Sequence, residues 1–209
     1  MTSRCFRFAV LCGLALGAIG CRCASSAASN EVSELRDGDV IFQESSSRQS
    51  DMVRVLTRSR WTHLGVVFRE KHGYVVLEAV SPVRRTPLPA FIARGREQRY
   101  VVKRLRDASA LDSDELRSVA ASFVGRPYDL KFRWDDETLY CSELVHKLFE
   151  RAASIHLGKI QRADEMNLKD ARVQQALKQR FQGAAFDPAE RVVTPDSIFN
   201  DAQLEQVFP

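Results

Sequence analysis

Cysteine is nearly absent from the body of this 209-residue chain. Of its five cysteines, four (Cys5, Cys12, Cys21 and Cys23) fall in the first two dozen residues, and Cys141 stands alone thereafter. A disulfide framework within the body is excluded, because Cys141 has no partner there. Long apolar runs are also missing. The longest, "FAVLCGLALGAIG" at residues 8–20, has 13 residues of apolar and small side chains, too few to span a bilayer comfortably. There is no internal repeat, no low-complexity tract after residue 33 and no nucleic-acid-binding module. The formal net charge is only +4. Its one local excess is the basic stretch "PVRRTPLPAFIARGREQRYVVKRLR", which reads as a solvated face, with attraction to an anionic surface as the alternative.

What the N-terminus does contain is informative. Arg4 and Arg7 precede the short apolar run, which ends in "AIGC". This is the layout of a bacterial lipoprotein signal, with Ala18 where leucine is usual, and it makes Cys21 the lipidation site. The rival is ordinary cleavage slightly later, near "ASSAAS". Residues 1–20 then form the signal, 21–33 a flexible tether and 34–209 one domain, large enough to bury its own core. An exported domain with one unpaired thiol holds either an inert buried cysteine or a reactive one.

Along the domain, "LRDGDVIFQ" reads as a turn and strand, and "DMVRVLTRSR" as a short helix. "THLGVVF" and "YVVLEAV" form a hairpin around "REKHG", and "RYVVKRL" is a further strand. Asp112 and Glu115 predict a capped helix start, and Gly125 its stop. "DDETLYCSELVHKLFERAA" predicts a helix with Cys141, Leu144, Val145, Leu148, Phe149 and Ala152 on one face, opened by the acids at 135–137. Helix is expected around 163–181 and again after Thr194-Pro195. The order is that of an α+β domain.

Two residues carry chemistry in this pattern. Cys141 falls in the first turn of its helix, where backbone N–H groups favour an anion and a thiol can be nucleophilic at neutral pH. On the same evidence it is equally a buried core thiol. His63 opens a strand and shares a face with Gly65, which leaves room for another group. If Val67 pairs with Tyr74, His63 stands opposite Glu78, and a carboxylate orients the imidazole. A one-residue slip would move Glu78 to the other face. His72, His146 and His156 fit no such constellation. A zinc site from Cys141, His63 and Glu78 lacks the usual ligand spacing, so neither metal nor cofactor is expected.

The set "LRDGDVIFQ", "WTHLGVVF", "VVLEAVSPV", "GRPYD", "YCSELV" and "VVTPDSIF", over roughly residues 34–205, resembles the YiiX-like permuted branch of the NlpC-type papain-like cysteine hydrolases. The histidine strand precedes the cysteine helix, as in the permuted branch. The resemblance implies a circularly permuted papain-like fold, an antiparallel sheet packed against a cysteine-bearing helix. It implies Cys141 as nucleophile, His63 as base and Glu78 as the third polar residue, with Tyr128 of "GRPYD" lining the site. The Cys141 N–H is expected to serve the oxyanion, with Tyr140 the nearest neighbour for a second donor. Related enzymes act on amide or ester bonds, in cell-wall peptides in some groups and acyl lipids in others. The expectation is thus a cysteine hydrolase on the periplasmic side of the cell envelope, held to the membrane through Cys21, with a peptide or acyl-amide or acyl-ester substrate. A non-enzymatic envelope protein on the same scaffold is the remaining alternative.

Overall fold

The computed structural model describes residues 35–182 and 186–208. The expected signal and tether, with Cys21, lie outside them. In chain order the elements are β1 (Val40–Ser45), α1 (Arg48–Thr57), β2 (His63–Glu70), β3 (Gly73–Glu78), β4 (Arg84–Pro87), α2 (Leu88–Ala93), β5 (Gly95–Leu105) and α3 (Ser113–Phe123). They continue with α4 (Cys141–Ala153), β6 (Gln161–Arg162), α5 (Ala171–Phe181), β7 (Arg191–Val192), α6 (Pro195–Phe199) and β8 (Leu204–Phe208).

Six strands form one sheet in the order β4-β3-β2-β1-β5-β8, every neighbouring pair antiparallel. Helix α2 touches β3 and β4 on one flank and β5 on the other, so the sheet curls around it. The pleat then divides the residues. Phe42, Leu64, Val66, Phe68 and Leu77 join Leu116, Ala120 and Phe123 of α3 and Leu144, Val145, Leu148 and Phe149 of α4 in one core. The alternate residues Gln43, His63, Gly65 and Glu78 share the concave face. Alternation of this kind, with both faces covered, explains why β2 reads as a nearly continuous apolar run.

The hairpin differs from expectation. Lys71 and His72 alone make the turn, with Glu70 paired to Gly73 and Val67 to Val76 rather than Tyr74. The register is therefore shifted by two residues. A shift of two preserves the face, so Glu78 stays on the side of His63 but stands opposite Gly65. Helix α4 also starts later than the acids at 135–137 suggest. Asp135 turns back to accept from the N–H groups of Glu137 and Thr138, both at 3.0 Å, and closes a loop. Tyr140, in an extended conformation, is the N-cap, so Cys141 is the first helical residue. Asp112 caps α3 as expected, its Oδ1 accepting from Asp114 and Glu115 N–H, and Gly125 follows that helix at φ +90°. Strands β4 and β8 had no clear apolar alternation to announce them. Among the described residues no helix is long and apolar enough to cross a membrane.

Candidate active site

Three elements converge at the start of β2. His63 is the strand's first residue, and its Nε2 lies 2.7 Å from Glu78 Oε2. This contact is diagonal across the hairpin, a reach that suits long side chains. Gly65 makes it possible. A Cβ built there would lie 2.5 Å from both Leu77 O and Val76 Cγ1 and 3.4 Å from Glu78 Cβ. Any side chain at 65 would push β3 away and take the carboxylate with it.

Glu78 is fully buried and tied on both oxygens. Thr86 Oγ1 of β4 donates to Oε1 at 2.6 Å, and the Arg94 guanidinium at the end of α2 donates to the same oxygen. Burial alone would raise the pKa of this carboxyl. The hydrogen bond and charge of His63, with Thr86 and Arg94, more than offset it and hold the value down at about 2. His63 stacks on Phe91, ring centroids 5.7 Å apart, which fixes the plane of the imidazole. With Nε2 turned to Glu78, Nδ1 is the ring nitrogen left for Cys141, which lines the same cavity. Burial pushes the imidazole pKa down. Hydrogen bonds to Cys141 and Glu78, and the charges of both, overcome this and raise it to about 9. A charged imidazolium at neutral pH is the state that stabilises a thiolate beside it.

Cys141 is buried at the first position of α4, where its N–H is one of the helix's unpaired donors. The helix start is pinned from behind. Ser142 Oγ donates to Val193 O at 2.8 Å, and Val193 N–H donates to the Tyr140 hydroxyl at 3.1 Å. Tyr140 also donates its own N–H to Glu143 at 3.3 Å. Cys141, His63, Tyr128 and Tyr140 all line one cavity of about 750 Å³. Its far wall is Val53, Leu56, Met166, Leu168, Leu177 and Phe186, contributed by α1, α5 and the segments flanking α5. The charged side chains lining it are His63 and Arg94, and no carboxylate lines it among the described residues.

The structure thus brings together Cys141, His63, Glu78, Tyr128 and Tyr140. Sequence reasoning missed Thr86 and Arg94. Arg94 was hidden in the basic stretch, which proves to be largely engaged: Arg96 reaches Glu44 at 3.2 Å, and Arg104 grips Asp39 with two bonds of 2.7 and 2.8 Å. Gln43 was missed too. It is paired with His63 across β1 and β2, lines the cavity, and has a buried Oε1 without a hydrogen-bond partner among the described residues.

A thiol, an imidazole and a buried carboxylate in line, with the histidine strand preceding the cysteine helix on an antiparallel sheet, define a permuted papain-like cysteine hydrolase. Residues 34–208 match the family described as permuted papain-like amidase enzyme, YaeF/YiiX, C92 family, and the chain belongs to that family. It is 38% identical over 172 residues to protein YiiX of Escherichia coli K12, covering 81% of this chain and 84% of the relative. The crystal structure titled metalloprotein YiiX, from Escherichia coli O157:H7, superposes with a TM-score of 0.77 at 36% identity, covering 82% of this chain and 95% of that one. In this chain Cys141, His63 and Glu78 do not converge as metal ligands, because Glu78 Oε2 faces His63 Nε2 and Oε1 is held by Thr86 and Arg94. Among the described residues the cluster with metal-ligand geometry is His146, Glu150 and His156.

Proposed function

We propose that Cys141 is the nucleophile, His63 the acid–base and Glu78 its orienting carboxylate in cleavage of an amide or ester bond. The observation that carries this reading is the meeting of the Cys141 thiol and the Glu78-bonded imidazole of His63 at one cavity. The Cys141 sulfur attacks the carbonyl carbon, forming a carbon–sulfur bond and an oxyanion. The Cys141 N–H faces that oxygen, and Tyr140 remains the neighbouring residue for a second donor. His63 gives its proton to the leaving amine or alcohol as the carbon–nitrogen or carbon–oxygen bond breaks. Water then attacks the thioester, His63 takes its proton, and the acid leaves with the thiol pair restored.

The lining of the cavity favours an acyl chain over a cell-wall peptide. Its volume of about 750 Å³ lies within the roughly 300–1,000 Å³ of small-molecule sites. A cationic amine of a peptide stem would find no carboxylate among the described lining residues and would be desolvated without an ionic partner. An apolar chain along Leu56, Leu168, Leu177 and Phe186 meets no such penalty. Anchoring through lipidated Cys21, with residues 21–33 as tether, would hold the domain at the periplasmic face of a membrane, where acyl lipids and peptidoglycan are both within reach.

The test is product analysis by mass spectrometry after incubation with mixed muropeptides and acyl lipids, against a Cys141→Ala control. Release of fatty acid that requires Cys141 supports the whole reading. Cysteine-dependent release from muropeptides alone would keep the mechanism and reverse the substrate assignment. Cys21→Ser should block processing and membrane retention in cells, and normal cleavage and release of that variant would remove the anchor.

A further inference from the structure

His146 lies on α4 five residues after Cys141, about 140° round the helix at about 100° per residue. It points away from the cavity and is 1% exposed. Its Nδ1 lies 2.7 Å from the carbonyl of Leu157, which must accept a proton from it. That bond fixes the tautomer and leaves Nε2 as a bare acceptor. This nitrogen is buried and has no hydrogen-bond partner among the described residues. A buried acceptor is rarely left this way without a ligand to fill it.

Two further side chains of metal-ligating type stand beside this ring. Glu150 is one turn along the same helix face, and His156 comes from the loop after the helix. One ring nitrogen of each histidine and a Glu150 carboxylate oxygen lie within 4.8 Å of one another. His156 Nδ1 is 3.5 Å from Glu150 Oε1, and the imidazoles of His146 and His156 have centroids 6.0 Å apart. Trp134 packs edge-on to His146 at 5.6 Å and closes one side. The nearby cations Lys147 and Arg151 both turn to Asp136 and so leave Glu150 available.

We propose that His146, Glu150 and His156 bind a divalent cation of the zinc class, with a fourth position open to water. Two imidazoles and one carboxylate suit zinc, nickel or cobalt, whereas magnesium and calcium prefer all-oxygen shells. Bonds of about 2.0–2.1 Å place tetrahedral ligands about 3.4 Å apart. The contraction from 4.8 Å falls to His156 and Glu150, whose side chains are 65% and 41% exposed and free to move. The Leu157 carbonyl is the outer-shell acceptor that metal-bound histidines characteristically have.

The site has a structural consequence. The loop carrying His156 is already tied to the C-terminal segment, where Gly158 N–H donates to Asp201 at 2.7 Å and Gln203 Nε2 donates to His156 O at 3.0 Å. A bound cation would clip the far half of the cysteine helix to that loop, and through it to the approach to β8. Its action is on stability, and it is separate from the thiol.

The experiment titrates zinc chloride into the chelator-stripped full chain by calorimetry, with thermal unfolding alongside and cobalt(II) as a spectroscopic probe. One zinc per chain is expected, with a raised Tm and a cobalt spectrum lacking a thiolate charge-transfer band. His156→Ala and Glu150→Gln should each weaken binding at least tenfold while leaving the metal-free Tm nearly unchanged. Cys141→Ser should bind as the parent does. Absence of saturable binding, binding unaffected by both His156→Ala and Glu150→Gln, or loss of binding in Cys141→Ser would each overturn the proposal.

Discussion

Replacing Glu78 by glutamine isolates what the buried carboxylate contributes. The side chain keeps its size and site, but its two ends cease to be equivalent. If the amide oxygen faces His63 Nε2, where the carboxylate stood at 2.7 Å, the NH2 group must face Thr86 and the Arg94 guanidinium, both donors. If the amide turns over, the NH2 group faces His63 and disfavours its protonation. Either way the negative charge beside the imidazole is gone. An opposite charge within about 4–6 Å raises an imidazole pKa by about one to three pH units. The His63 value of about 9 should therefore fall to roughly 6–8. The assay is the pH dependence of kcat/KM, paired with NMR titration of the His63 ring. In the parent, activity should fall on the alkaline side as His63 loses its proton near pH 9. In Glu78→Gln that limb should move down by about one to three pH units. His63→Ala should lose about two to four orders of magnitude at every pH. An unmoved alkaline limb in Glu78→Gln would refute the argument that Glu78 sets the state of His63.

Gly65→Ala should be costly although its φ is ordinary, because the new methyl meets Leu77 O and Val76 Cγ1 at 2.5 Å. A loss of about 1–3 kcal/mol is expected by urea unfolding, with reduced turnover as Glu78 is displaced; parental stability would show that β3 gives way freely. The two partners also predict opposite pH dependences of stability. The Glu78 value falls from 4.5 to about 2 on folding, so its contribution is present above pH 4.5 and lost as pH drops toward 2. This amounts to on the order of 3 kcal/mol. The His63 value rises from 6.5 to about 9, so its contribution is full below pH 6.5 and lost as pH climbs through 9. Urea titrations at both extremes should show Glu78→Gln with the acid limb flattened, and equal limbs in parent and variant would contradict the assignment.

The site was legible because its chemistry is local. A lone cysteine in the body of the chain, a histidine beside a glycine and a glutamate on the facing strand could be found without tertiary information. The pairing register was not. It depends on whether Lys71-His72 alone makes the turn, and no sequence rule separates that from a longer loop around "REKHG". The face survived because the difference was even. Thr86 was lost because "RRTP" alternates no apolar residues, and its strand exists only through pairing with β3. Arg94 was lost because a cation in a basic stretch looks solvated until the carboxylate it reaches is known. The start of α4 was misplaced because Asp135 caps a turn instead of a helix, a choice made by the extended conformation of Tyr140 four residues before the end of the first turn. That displacement puts Cys141 at the helix's first position, where the backbone favours an anion most.

The most direct measurement is native alkylation of Cys141 by iodoacetamide at pH 7, followed by peptide mapping to locate the label. A thiol beside a charged imidazole at a helix N-terminus should react much faster than a free cysteine, and in His63→Ala the advantage should disappear. Labelling of Cys141 only after denaturation, or at equal rates with and without His63, would make it a core residue and contradict the account.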